Sequence, residues 1–168
     1  MKQPSELEIY LFDLKGFIVG DNKFLTDNEG NFLTFTYDGV GGLMAVEGTT
    51  FMDNASQYCL GAGTIPGKGF EMGHCKINLM DGDAVFTYYE IPIGDSMNGT
   101  FKCLGGTGKY KGIECSGSTG YTPINSAQEN KFASSRLFIP DEVFLILSFN
   151  SILCFGYFFK INSILFFI

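Results

Sequence analysis

The sequence predicts an all-β fold, a small antiparallel barrel or sandwich of short strands, on three observations. Glycine-containing turn signals recur at spacings of about ten residues through the first 131 positions, which hold all but one of the 22 glycines. The segments between them are rich in Phe, Tyr, Val, Ile and Thr, residues that fit a pleated, half-buried surface. No segment before residue 131 spaces its apolar residues at the helical period. A barrel is favoured because closure removes strand edges that would otherwise template aggregation.

Residues 28–31 (NEGN) are a turn signal, and residues 32–37 (FLTFTY) supply the aromatic and β-branched run of a strand. Asp38-Gly39 and Gly41-Gly42 are expected to break the chain before a strand at residues 43–47. After Gly67-Lys68-Gly69, Cys75, Ile77 and Leu79 alternate with His74, Lys76 and Asn78. A period of two marks a strand with one buried face. Asp81-Gly82-Asp83 closes a hairpin, because glycine supplies the positive φ of a tight reversal. The return strand, residues 84–91, sets Phe86, Tyr88 and Glu90 against Val85, Thr87, Tyr89 and Ile91. Residues 100–104 and 116–122 are further candidate strands.

A length of 168 residues suits one domain. The net charge of −7 and a single arginine, Arg136, exclude a nucleic-acid binder, which needs clustered cations to neutralise phosphates. An apolar fraction of 45% excludes disorder, and glycine without a G-X-Y period excludes collagen. The first twenty residues contain no uninterrupted apolar stretch before a small-residue cleavage site, so the expected location is cytoplasmic. There, Cys59, Cys75, Cys103, Cys115 and Cys154, odd in number and without C-x-x-C spacing, are expected to stay reduced as small buried hydrophobes. On the same ground the glycosylation sequons at Asn54 and Asn98 read as chance matches.

The most distinctive stretch is residues 101–113 (FKCLGGTGKYKGI), with Gly67-Lys68-Gly69 and Asp81-Gly82-Asp83 nearby. Residues 105–112 resemble the G-G-[ST]-G-x-[FY]-x-G signature of allene oxide cyclase-like and dirigent-like β-barrels, and small bacterial proteins of unassigned function look similar. The resemblance spans roughly residues 32–122. It implies an eight-stranded barrel in which the glycine run is a tight corner and Tyr110 packs back onto the barrel. Many members carry a glycine where this chain has Cys115. The family includes a cyclase and stereochemical guides for phenol coupling, but fold alone does not transfer an activity.

Neither glycine–lysine pair makes a phosphate loop. Gly108-Lys109 is followed by Tyr110 instead of Ser or Thr, and Gly67-Lys68 by Gly69. His74, the only histidine, cannot pair with Cys75, because adjacent strand residues face opposite ways; Cys59 or Cys103 would have to lie on a neighbouring strand. Scattered cysteines with one histidine lack the ligand spacing of a zinc site, and no cofactor is expected. Glu71, Asp81, Asp83 and Glu90 gather around one hairpin, yet Val85 stands where a calcium loop needs Asp or Asn, so the aspartates read as turn residues. Glu90 is the candidate catalytic or ligand-binding residue. Were its face, with Phe86 and Tyr88, to line the lumen, it would be a carboxylate in an aromatic pocket with a raised pKa.

The composition changes at residue 132: residues 132–168 hold nine of the 18 phenylalanines and only one glycine. Residues 143–159 (VFLILSFNSILCFGYFF) carry no charge, and residues 143–168 exceed the roughly 20 residues of a membrane-spanning helix. The sequence therefore divides into a barrel domain, 1–131, and an apolar, helical tail, 132–168. The tail reads either as a membrane anchor or as an aberrant end, since Phe, Ile, Leu, Asn, Lys and Ser are what AT-rich DNA yields out of frame. The functional expectation is a barrel that binds a small apolar ligand or a protein partner; the alternative is an isomerase or cyclase acting in the lumen.

Overall fold

The computed structural model describes residues 7–8, 12–66, 69–94, 98–129 and 131–146. They form nine strands: β1 (Leu7–Glu8), β2 (Leu14–Thr26), β3 (Phe32–Ala45), β4 (Ala55–Thr64), β5 (Phe70–Asn78), β6 (Ala84–Pro92), β7 (Asn98–Gly106), β8 (Ile113–Ile124) and β9 (Phe132–Ile146). Each strand from β2 to β9 pairs antiparallel with the next, and β9 pairs with β2 as well as β8, so eight strands close into a barrel. The short β1 pairs with the far end of β9. The expected all-β class is therefore observed, with β1, β2, β4 and β9 added to the strands read from the sequence.

The closing strand comes from the segment assigned to the tail. β9 begins one residue past the expected boundary at 131, and the barrel extends to Ile146. Its inward Ser134, Arg136 and Phe138 alternate with outward Ser135, Leu137 and Ile139, the period of two expected of a strand. Low glycine content hid that pattern among phenylalanines. Gly117 pairs with Pro140 and Ser116 with Glu142, which leaves one extra residue on β9. A bulge of this kind tolerates a proline, which has no N–H to give the ladder. The remainder of the expected tail, residues 147–168, lies outside the described residues, and with it the apolar helix. Among the described residues no helix is long and apolar enough to cross a membrane.

Many glycines sit within strands instead of ending them. β3 continues through Gly39, Gly41 and Gly42, where a break was expected. At Gly39 a Cβ would come within 2.8 Å of the Ile18 side chain, and at Gly41 it would strike the Phe17 backbone. The same logic recurs between neighbouring strands on the inner face of the barrel. Gly61 lies directly opposite Tyr37, Gly63 opposite Phe35, Gly73 opposite Tyr89 and Gly117 opposite Phe101. A Cβ at Gly61 or Gly63 would stand 2.6 Å from the facing ring, so the space left by the missing side chain is the space the ring fills. Gly82, with φ of 90°, does serve the predicted hairpin turn.

One end of the barrel is plugged. Phe12, Phe51, Phe101, Phe138 and Tyr110 form a chain of ring contacts with centroids 5.4 to 6.0 Å apart. All five are buried, and each such ring contributes about 1.5–3 kcal/mol by leaving water. Tyr110 ends the turn Gly108–Tyr110, a single 3-10 turn between β7 and β8.

The cysteines depart from expectation. Cys59 and Cys75 face each other across β4 and β5 and form a disulfide, and Cys103 on β7 is bonded to Cys115 on β8. Strand register brings together thiols that are 16 and 12 residues apart in the chain, which spacing alone did not reveal. Cys154 lies outside the described residues.

Candidate functional site

With one end plugged by aromatic side chains, the other remains open. Where β2, β4, β6 and β8 finish, the side chains leave a cavity of about 300 Å3. Its walls are mostly apolar: Phe24, Phe35, Ile65, Ile93, Pro123 and Phe132 line it together with Tyr37 and Tyr121. The β2–β3 hairpin raises an aromatic rim over the opening. The Phe24 ring lies 4.8 Å from Phe32 and 6.2 Å from Phe35, and Phe24 and Phe32 are each about half exposed, at 48% and 50%.

The cavity has a charged floor. β9 and β5 stand on opposite walls of the barrel, and Arg136 from one meets Glu71 from the other across the lumen. Arg136 is 4% exposed and Glu71 likewise 4%, with Nη2 at 3.7 Å from the carboxylate oxygen Oε1. Three tyrosines complete the group. Arg136 Nη2 donates to the Tyr37 hydroxyl at 3.3 Å, and the Tyr89 hydroxyl donates to Glu71 Oε1 at 3.2 Å. The guanidinium also lies over the Tyr89 ring, 4.8 Å from its centroid. Tyr121, on the strand beside β9, hydrogen bonds to the same carboxyl.

Burial pushes the Glu71 carboxyl above the usual carboxylate range, against the opposing pull of the Arg136 charge and the Tyr121 hydrogen bond. Burial likewise raises the hydroxyls of Tyr89 and Tyr121, the latter further because the Glu71 charge faces it. These phenols stay protonated and act as donors. Arg136 remains incompletely satisfied: Nε and Nη1 are buried and have no hydrogen-bond partner. Three of the five N–H groups of the guanidinium therefore point to no acceptor, although buried donors in folded proteins are nearly always paired.

The residues singled out from the sequence fall elsewhere. Glu90 points outward and is exposed, accepting a hydrogen bond from the Tyr88 hydroxyl at 3.0 Å. The register of β6 turns Val85, Thr87, Tyr89 and Ile91 into the lumen, so the condition for Glu90 to sit in an aromatic pocket is not met. His74 is also outward, its ring 5.3 Å from Tyr88, while Cys59 and Cys75 are joined inside; among the described residues no Cys–His pair forms.

Asp81 and Asp83 lie at the plugged end, where they hold the glycine-rich stretch. Asp81 accepts from the Tyr110 hydroxyl at 3.1 Å and pairs with Lys109 at 2.9 Å. Asp83 accepts from the Thr107 hydroxyl at 3.1 Å, and Thr107 Oγ1 in turn accepts the Ala84 N–H at 2.8 Å. These carboxylates dock residues 107–110 onto the β5–β6 hairpin. The four carboxylates of that hairpin are thus distributed to three places, and only Glu71 reaches the cavity. Among the described residues no three His, Cys, Asp or Glu side chains converge on a metal position. Gly67 and Lys68 lie outside the described residues.

Sequence reasoning missed Arg136 as a site residue. The signal was present: the chain's one arginine occupies an inward position between Ser134 and Phe138, on a segment read as tail. No family model matches this chain, and no curated protein is similar to it, so the site is defined by its geometry.

Proposed function

We propose that the barrel is a binding module that admits a small apolar ligand through its open end. The carrying observation is the cavity itself, about 300 Å3 and walled by aromatic and aliphatic side chains, opposite an end that is packed solid. This volume is at the lower edge of the roughly 300–1,000 Å3 typical of ligand pockets. The half-exposed Phe24 and Phe32 at the rim suit entry of an apolar molecule. The test uses the neutral dye N-phenyl-1-naphthylamine, whose fluorescence rises in apolar surroundings. Saturable enhancement at one dye per chain is expected for the wild type, and its loss in Ser134→Trp, whose inward side chain fills the cavity. Equal enhancement in both proteins would place the dye elsewhere and overturn the proposal.

A second reading, isomerase or cyclase chemistry in the lumen, is favoured by one observation. A buried carboxyl with a raised pKa, Glu71, lines a cavity beside a guanidinium, and perturbed groups of this kind collect at catalytic sites. It predicts that a bound ligand is converted and that Glu71→Gln stops the conversion. Recovery of the ligand unchanged from the wild type would leave binding alone.

Two cross-strand disulfides suit an oxidising compartment, in place of the cytoplasm expected from the N-terminus. Kinship with the allene oxide cyclase-like and dirigent-like barrels is likewise our proposal, carried by residues 105–112.

A further inference from the structure

Resting on the cavity as a binding site, we infer that its ligand is a small apolar acid whose anionic head group goes in first and is held by Arg136 at the floor. The argument starts from an imbalance. A guanidinium that is 4% exposed would normally have its donors matched, because a buried charge is tolerated only when it is paired and hydrogen-bonded. Here Nη2 alone has polar partners, Tyr37 and, at 3.7 Å, Glu71, and the guanidinium otherwise rests over the Tyr89 ring. Nε and Nη1 have no acceptor, and the residue lines the cavity.

The counter-charge is itself drawn away from Arg136. Glu71 Oε1 accepts the Tyr89 hydroxyl at 3.2 Å, and Tyr121 bonds to the same group. Burial also penalises the charged form of this carboxyl, which weakens it as the counter-charge of Arg136. Along the cavity walls the other polar side chains are Asn22, Ser134 and the two tyrosines, so among the described residues Arg136 is the one cation lining it. An incoming carboxylate would gain charge-assisted hydrogen bonds in a low-dielectric site, where they are strongest. The apolar body of the same molecule would then lie against Phe35, Phe132 and Ile93 and reach the rim at Phe24. A molecule with its polar group at the outer end would leave the Arg136 donors unsatisfied.

The test compares octanoate with 1-octanol, which share an apolar body and differ in the head group, by calorimetric titration of the intact chain. Octanoate is expected to bind the wild type at least about tenfold more tightly than octanol, the effect of hydrogen bonds to a charged group. In Arg136→Met the preference should vanish while octanol binding persists, and Arg136→Lys should restore part of it. Equal affinity of the two compounds for the wild type would overturn the anionic head group and leave the apolar cavity standing. Octanoate bound as tightly by a folded Arg136→Met as by the wild type would also overturn it. Binding of neither compound to the wild type would refute the cavity as a binding site, and this inference with it. The wild-type comparison needs no variant, so poor folding of Arg136→Met does not blunt the test.

Discussion

At Glu71 a carboxyl group is enclosed by the lumen with a single guanidinium opposite and two phenols upon it. Its pKa is raised above the usual 4.5 chiefly by burial, so the folded chain binds this proton more tightly than the unfolded chain does. The stability contributed by the neutral carboxyl is complete below pH 4.5 and declines as the pH rises through the folded-state value. Glu71→Gln keeps the shape of the neutral acid and cannot ionise. Thermal unfolding followed by circular dichroism should therefore give similar midpoints for wild type and Glu71→Gln at acidic pH. As the pH rises, the wild type should fall below the variant. A wild type that instead gains on the variant would show the carboxylate to be stabilised by Arg136 more than it is penalised by burial. The sequence pointed to Glu90 because strand alternation fixes which residues share a face but not which face is inward. One step of register decides between Glu90 and Tyr89, and that is set by pairing with β5 and β7.

Between strands, the recurring unit is a glycine facing an aromatic ring. Gly73 opposite Tyr89 is the instance nearest the charged floor, where a Cβ would stand 2.5 Å from both the Tyr89 hydroxyl and the Leu60 carbonyl oxygen. Gly73→Ala should cost about 1–3 kcal/mol in urea unfolding, the usual penalty of overpacking. Gly94→Ala, where no atom lies within 4 Å of the added Cβ, should change stability by less than about 0.5 kcal/mol. The disulfides act at the same scale by tying β4 to β5 and β7 to β8. Purified without reductant, the chain should have a mass four hydrogens below the value after reduction in its Cys59, Cys75, Cys103 and Cys115 peptides. Replacing Cys59 and Cys75 together by alanine should lower stability by about 2–4 kcal/mol, read from the same unfolding curves. An unchanged midpoint would remove the structural role of that bridge. β5 and β6 were legible because their alternation is regular and Asp81-Gly82-Asp83 marks the turn. β2 and β4 were not, since Gly16, Gly20, Gly61 and Gly63 break their apolar alternation while serving neighbours that only the folded sheet supplies.

For the molecule as a whole, the two ends of the barrel have opposite roles. The aromatic plug and the Asp81 and Asp83 network fix the closed end, and the open end keeps a cavity whose floor is a pair of charges spanning the lumen. The all-β class could be read from turns and strand composition, because those signals are local. The cavity could not, because it depends on which side chains of five strands meet at one depth. Arg136 was least accessible of all, since a change in composition at residue 132 separated it from the barrel it closes. That same isolation makes it measurable. As the chain's only arginine, it gives one arginine Nε–H resonance in a nitrogen–proton correlation spectrum, without need of assignment. Addition of octanoate should move that resonance downfield as Nε gains an acceptor, while 1-octanol at equal occupancy should leave it near its starting position. A resonance that stays fixed with octanoate bound at saturation would contradict the account.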